Sequence, residues 1–305
     1  MTVSGVPLTI TRRLSGYVAL TKPRVIELLL VTTVPVMVVA EASQPGHGAL
    51  PSLWLVVATV IGGTLAAGGA NAVNMVVDRD IDAVMHRTRN RPLVTGIMSP
   101  QAALTFAVGL EVAAFFWLWG FVNLLSAVLA LSATAFYVFV YTLWLKRSTS
   151  QNIVIGGAAG CVPVLIGWSS VTGSLGWAPV VLFAIVFLWT PPHTWALAFK
   201  YRDDYSRAEV PMLPSVAEAR SVGVQSLAYT LALWAVTLVL APVADLGIVY
   251  LVSAIVAGAL FTWYAVAMLR APSARTSIRL FTFSITYVTV LFGAMAVDRL
   301  VALGI

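Results

Sequence analysis

Apolar residues run along this chain in nine long blocks, and polar residues are confined largely to the gaps between them. A helix needs about 20 mostly apolar residues to cross a hydrocarbon layer. That ruler marks spans near 25–42, 53–77, 101–119, 122–145, 152–169, 178–199, 222–241, 247–268 and 280–298. The runs are continuous and lack the short alternating segments of a barrel strand. Helices are therefore predicted, since they satisfy every backbone polar group within the span. Gly, Pro and Ser punctuate the gaps, as in Ser43-Gln44-Pro45-Gly46 and again from Ser170 to Gly176. The expected fold is an all-α integral membrane protein, with a cytoplasmic N-terminal segment over 1–24 and one nine-helix domain over 25–305.

Composition agrees with that pattern. Of 305 residues, 60% are hydrophobic and 10% charged, and the mean hydropathy is +0.93. A soluble domain carries about 25% charged residues, so this chain cannot wrap its apolar content in a charged shell. That excludes an ordinary soluble enzyme and a disordered chain. It also excludes a nucleic-acid binder despite a pI near 9.7, and leaves the lipid bilayer as the expected surrounding. A single cysteine, Cys161, excludes a disulfide framework or a cysteine metal site.

The net charge of +6 changes the picture only through its placement. The gaps before the first span and after the second, fourth, sixth and eighth hold 17 of the 18 Lys and Arg residues, with Arg299 alone on the other side. The positive-inside rule makes the basic side cytoplasmic in a plasma (inner) membrane, with the N-terminus in and the C-terminus out. Basic residues, the run 25–39 and Ala40-Glu41-Ala42 loosely imitate a cleavable leader, but one of unusual length.

Two basic-side gaps also carry acids. The first runs from Asn74 through Asp78, Asp80 and Asp82 to His86, Arg87 and Arg91. Asn74, Asp78 and Asp82 lie four apart, one helical column about 12 Å long, with Asp80 pointing elsewhere. Two carboxylates and an amide offer oxygen ligands for a hard cation such as Mg2+, which takes its other ligands from water and substrate phosphate. Arg87 and Arg91 can fork onto phosphate oxygens. The alternative is a solvated, salt-bridged helix end.

The second runs from Pro191-Pro192-His193 to Lys200, Arg202, Asp203, Asp204 and Tyr205. On a continuous helix His193, Lys200 and Asp204 share a face, with His193 about 16 Å deeper. Asp203 lies off that line. The double proline is expected to kink or break the sixth span. Glu27 lies one turn beyond Arg24, and Glu111 stands mid-span without an evident partner. Lys146 and Arg147 close the fourth span as topology anchors or substrate ligands.

Two acidic clusters flanked by bases beneath an apolar bundle suit departure of a diphosphate, whose developing charge needs preorganised cations. The bundle would hold the hydrocarbon and keep water from a reactive cation. The Asn74-x-x-x-Asp78-x-x-x-Asp82 column resembles the first acidic motif of the UbiA-type intramembrane prenyltransferases. Further resemblance, to the heme-modifying branch, lies in Thr21-Lys22-Pro23-Arg24, Met85-x-Arg87-Thr88-x-x-Arg91-Pro92-Leu93, Tyr141-Thr142-x-x-Leu145-Lys146-Arg147, Gln151-Asn152 through Gly160, Pro192-His193-x-Trp195, Asp203-Asp204-Tyr205 and Val210-Pro211-Met212-Leu213-Pro214. It implies nine helices around a central cavity and transfer of a farnesyl group from farnesyl diphosphate to a vinyl group of heme B, with addition of water. It further implies Mg2+ on Asn74, Asp78 and Asp82, and on Asp203 or Asp204. Diphosphate or propionate would lie on Arg87, Arg91, Lys146 and Lys200, with Arg202 and Tyr205 as further substrate contacts and His193 at the heme iron or a propionate. A heme A synthase or an oxidase-assembly protein is the implied partner. The adjacent pair Asp203-Asp204 departs from the four-spaced acids of many members. Prenylation of an aromatic ring and a transporter with broken helices remain the alternatives.

Overall fold

The computed structural model describes residues 9–44, 46 and 50–304, and a two-residue antiparallel pairing of Thr2–Val3 with Val6–Pro7. The side chains at 24, 25 and 27–30 lie outside that description, and the Arg24–Glu27 pairing with them. The chain is otherwise helical. A short helix α1 (Ile10–Thr21) precedes α2 (Pro23–Ala42), α3 (Leu53–Val77), α4 (Arg79–Val84), α5 (Pro100–Phe121), α6 (Leu124–Ser148), α7 (Asn152–Thr172), α8 (Trp177–Lys200), α9 (Arg202–Arg207), α10 (Leu213–Val216), α11 (Ala219–Val243), α12 (Ile248–Arg270) and α13 (Ala274–Ala302).

Among the described residues, eight helices are long and apolar enough to cross a membrane, namely α3, α5, α6, α7, α8, α11, α12 and α13. They coincide with eight of the nine expected spans. The first expected span falls on the 20-residue α2, whose described apolar part is Val31–Ala42. Sequence-local signals set the starts. Ser52, Ser99, Asn123 and Ser273 each accept a first-turn backbone N–H of the following helix. Asp298 of α13 performs the same service across the fold, accepting from the N–H of Gly247 at 2.5 Å and of Tyr250 at 3.1 Å at the start of α12.

Three features differ from the sequence expectation. Residues 10–21 form a helix with Ile10, Leu14 and Val18 exposed on one face and Leu20 buried, the pattern of a helix lying along an interface. The centre of α6, Phe136–Leu145, is π-helical. Helix α8 runs unbroken through Pro191 and Pro192, both buried among neighbouring helices that hold its course; the expected break is absent.

The spans close into a ring. Helix α3 packs on α5, α5 on α6, α6 on α7, α7 on α8, α8 on α11 and α13, and α13 returns to α2. Trp195, Tyr250, Phe261, Tyr287 and Phe292 fill one half of the core between α8, α12 and α13. Phe116, Phe139, Trp177 and Trp263 stand exposed on outer surfaces. In water so many large exposed apolar groups would promote aggregation; in lipid they are the solvated surface.

Candidate active site

Helix α3 ends at Val77, and Asp78 takes φ −84°, ψ 8° before α4 begins. The four-residue register survives this junction. Asp78 N–H donates to the Asn74 carbonyl at 2.9 Å and Asp82 N–H to the Asp78 carbonyl at 2.8 Å. Asn74, Asp78 and Asp82 therefore stay in one column, and all three are buried. A ring of cations surrounds them. Lys22 Nζ donates to Asn74 Oδ1 at 2.7 Å, Arg91 Nη1 to Asp82 Oδ2 at 2.6 Å, and Lys146 Nζ to Asp78 Oδ2. Asn74 Nδ2 donates in turn to Asp78 Oδ2 at 2.8 Å and to Thr142 Oγ1 at 3.2 Å. Asp80 points out, as expected. Arg147 grips it through two 2.7 Å bonds, which hold its carboxyl down to about 2.

Lys22 is a site residue that sequence reasoning placed only as a loop cation. It stands between α1 and α2 with φ 51°, ψ 64°, a left-handed conformation that costs a non-glycine residue about 1–3 kcal/mol. The strain turns its ammonium into the cluster. Burial, then the positive charges of Arg91 and Lys146, push Lys22 down to about 7. In the sequence Lys22 stands out only through the Thr21-Lys22-Pro23-Arg24 stretch; Pro23 disfavours helix at the residue before it but does not call for a left-handed one.

Above the ring opens a cavity of about 510 Å³, within the roughly 300–1,000 Å³ of small-molecule sites. Lys22, Asn74, Asp82, Arg87, Arg91 and Lys146 line its mouth. Small residues of α3 (Gly63, Ala66, Ala67, Ala70) and of α6 (Ala130, Ala133) line its depth. The π-helical stretch turns Tyr137 and Tyr141 inward, stacked at 5.3 Å. Gly156 lets α7 approach Tyr141, for a Cβ there would lie 2.2 Å from the ring.

The second cluster lies differently from its sequence reading. Helix α8 stops at Lys200, Tyr201 breaks the course at φ −107°, ψ 21°, and α9 starts afresh, so His193 and Asp204 do not share one continuous helical face. Tyr205 lines the main cavity. Lys200, Asp203 and Asp204 instead line an open hollow of about 400 Å³ with His86, Arg87, Tyr201 and Arg207. Asp204 is buried, paired with Arg207, and accepts from Arg87 N–H at 3.4 Å. Asp203 is exposed beside Arg202 at 3.6 Å, and Arg202 lies over Phe199, outside both cavities. Arg87 alone among these side chains borders both spaces. His193 is not among the cavity-lining residues. Its Nδ1 meets Ser284 Oγ at 2.7 Å and its ring stacks on Trp189 at 4.0 Å, which makes it a packing and hydrogen-bonding element between α8 and α13.

Residues 29–290 match the UbiA prenyltransferase family. The chain belongs to that family. Protoheme IX farnesyltransferases of Frankia casuarinae and Clavibacter sepedonicus are 56% and 52% identical to it, over 94% and 95% of this chain and 98% and 94% of theirs. A solved digeranylgeranylglyceryl phosphate synthase superposes with a TM-score of 0.76 at 16% identity, over 94% of this chain and 98% of its own. A UbiA homologue from Archaeoglobus fulgidus bound to GPP and Mg2+ gives 0.62 at 15%, over 92% and 99%. These two share the fold with this UbiA prenyltransferase.

Among the described residues no three His, Cys, Asp or Glu side chains gather as a preformed metal cluster. The donor set of this UbiA prenyltransferase nevertheless fits one hard cation. Asn74 and Asp82 line the cavity and Asp78 lies buried beside them; Asp78 Oδ1 is buried without a hydrogen-bond partner, with Arg147 no nearer than 4.0 Å. An orphaned carboxylate oxygen in a dry site is costly, and a divalent ion would satisfy it. Asp203 and Asp204 are turned to the other hollow and do not complete a second site on the main cavity.

Proposed function

We propose that this UbiA prenyltransferase converts heme B to heme O, transferring the farnesyl group of farnesyl diphosphate to a heme vinyl group with addition of water, for the heme O and heme A of terminal oxidases. The observation that carries the reaction type is the cation-ringed column of Asn74, Asp78 and Asp82, whose Asn74 and Asp82 line an apolar cavity. The acceptor is read from relatives named protoheme IX farnesyltransferase at 52–56% identity.

Asn74, Asp78 and Asp82 would hold Mg2+, which supplies charge neutralisation to the departing diphosphate. Lys22, Arg87, Arg91 and Lys146 converge on the same mouth. Fixed before the reaction, they stabilise charge as it develops on the leaving oxygens at little reorganisation cost. The tyrosine pair and the small-residue walls would seat the isoprenoid and keep bulk solvent from the cation. Tyr205 closes the wall beside Arg87. Lys200 and His86, in the neighbouring hollow, suit the propionates of the macrocycle. Asp204 acts as a positioning residue, holding the Arg87 turn through its backbone N–H.

The bias of basic residues further supports a plasma-membrane enzyme with the N-terminus cytoplasmic and the C-terminus outside. Such an enzyme would deliver its product to a heme A synthase or an oxidase-assembly protein.

The test is product analysis by mass spectrometry. Purified protein in detergent receives heme B, farnesyl diphosphate and Mg2+, with Asp78→Ala as control. The expected result is a heme mass gain of a farnesyl group plus a hydroxyl, absent in the variant. Pyrophosphate release with an aromatic acceptor and no heme product would overturn the heme assignment while retaining prenyl transfer.

A further inference from the structure

Glu111 is a carboxylic acid in the middle of α5 for which the reaction described so far has no use. The structure supplies the partner that the sequence lacked. Thr134 Oγ1, on α6, donates to Glu111 Oε1 at 3.2 Å, and Thr134 lines the main cavity. The carboxylate is tucked against the backbone of Gly69 and Ala70 on α3, so closely that a Cβ at residue 69 would stand 2.5 Å from Oε1. Gly69 makes room for this acid, and Ala70 is itself a cavity wall residue. An acid at this depth is costly, yet its described partners are neutral, a hydroxyl and a backbone group.

Its level in the cavity is informative. Gly69 and Ala70 precede Asn74 by five and four residues, which puts the carboxylate about 6–8 Å deeper than Asn74 along α3. The diphosphate would sit at the Lys22–Asn74 mouth, with the first farnesyl carbon directly above it. When the vinyl terminus bonds to that carbon, positive charge appears on the inner vinyl carbon, one bond further on. On that placement of the substrate, the cation would lie at the level of the Thr134–Glu111 pair.

We propose that Thr134 and Glu111 place and deprotonate the water that captures this cation. The inference rests on the heme O reading above. In the first step the bond between the first farnesyl carbon and the diphosphate oxygen breaks, and diphosphate departs with the electron pair. The new carbon–carbon bond takes the vinyl π electrons, and the new carbon–oxygen bond takes a lone pair of water. One water proton passes to Thr134 Oγ1 as the threonine's own proton passes to Glu111; it is lost to bulk water with the product. No oxidant or reductant is needed. Thr134 touches the water, and Glu111 is a positioning residue that acts through it. Without the pair the same cation loses a proton from carbon and yields an alkene, lighter by one water.

The discriminating quantity is thus the ratio of hydrated to dehydrated farnesylated heme, read by mass spectrometry on full-length protein in detergent with heme B, farnesyl diphosphate and Mg2+. Thr134→Val and Glu111→Gln are expected to lower that ratio on the order of a hundredfold, the low end of general acid–base contributions. Gly69→Ala, which displaces the carboxylate without altering a cavity polar group, is expected to lower it in the same direction. Thr134→Ser, retaining the hydroxyl, is expected to keep the wild-type ratio. A role confined to packing would reduce both products together and leave the ratio where it was; an unchanged ratio in Thr134→Val and Gly69→Ala would overturn the proposal. A wild-type protein that makes no farnesylated heme would instead overturn the reaction on which it rests.

Discussion

Replacing Lys146 by Met tests whether the cation ring and a divalent ion use the same oxygens. The ammonium of Lys146 is bonded to Oδ2 of Asp78, and the two side chains are 14% and 0% exposed. Removing one member of a buried pair leaves an uncompensated charge and costs about 3–5 kcal/mol. Here Asn74 Nδ2 still donates at 2.8 Å and Arg147 remains 4.0 Å from Oδ1, so the lower end, about 3 kcal/mol, is expected. That deficit belongs to the metal-free protein. A cation at 100 times its dissociation constant stabilises the folded state by about 2.7 kcal/mol, and Met at 146 offers it no competition for Asp78. Denaturation in detergent, followed by tryptophan fluorescence, should therefore show Lys146→Met well below wild type in EDTA and close to it in excess Mg2+. Wild type should gain less from the metal than the variant does. Equal deficits in EDTA and Mg2+ would refute the argument, since they would mean that the metal does not take over the charge that Lys146 balances.

Other outcomes follow from the same geometry. Asp82→Asn should fold but lose prenyl transfer at least a hundredfold in pyrophosphate release, because it removes a metal ligand and the partner of Arg91 at 2.6 Å. Asp80→Asn should stay within about 1 kcal/mol of wild type by denaturant melt, since the Asp80–Arg147 pair has a 61% exposed carboxylate. Gly156→Ala should raise KM for the isoprenoid diphosphate and destabilise by about 1–3 kcal/mol, as its methyl collides with Tyr141. His193→Phe should keep heme product formation within about threefold while melting earlier, losing the Ser284 bond, a net stabilisation of about 1 kcal/mol.

The spans were legible because the bilayer imposes one length and one chemistry on each, and eight helices match the runs closely. The Asn74–Asp78–Asp82 column was legible because four-residue spacing is local and helical bonds continue past Asp78. The rest of the site is made of distant partners. Lys22 lies 52 residues from Asn74, and Lys146 lies 68 from Asp78. The Lys22 contact also depends on a left-handed residue that no periodicity announces. His193 was misplaced because a helical wheel assumes a helix that continues beyond Lys200, and because it says nothing of Ser284, 91 residues on. The double proline predicts a kink or a break since each ring removes a backbone donor, but α8 stays helical through it with both prolines buried. The acid of α5 was visible from the start; its partner on α6 was not.

The ring of spans has a consequence for how the protein comes into being. Helix α13, which follows every other described span in the chain, packs against α2, which precedes them, and its Val288 is part of the cavity wall. Arg299 then ties Asp245 and Ala42 together through their carbonyls at 2.8 and 3.2 Å. Until that segment inserts, the cavity wall lacks Val288, and α2 leans on α7 and α3 without its third neighbour. A nascent chain halted before α13 thus carries Asn74, Asp78 and Asp82 but lacks the Val288 wall and the Arg299 tie.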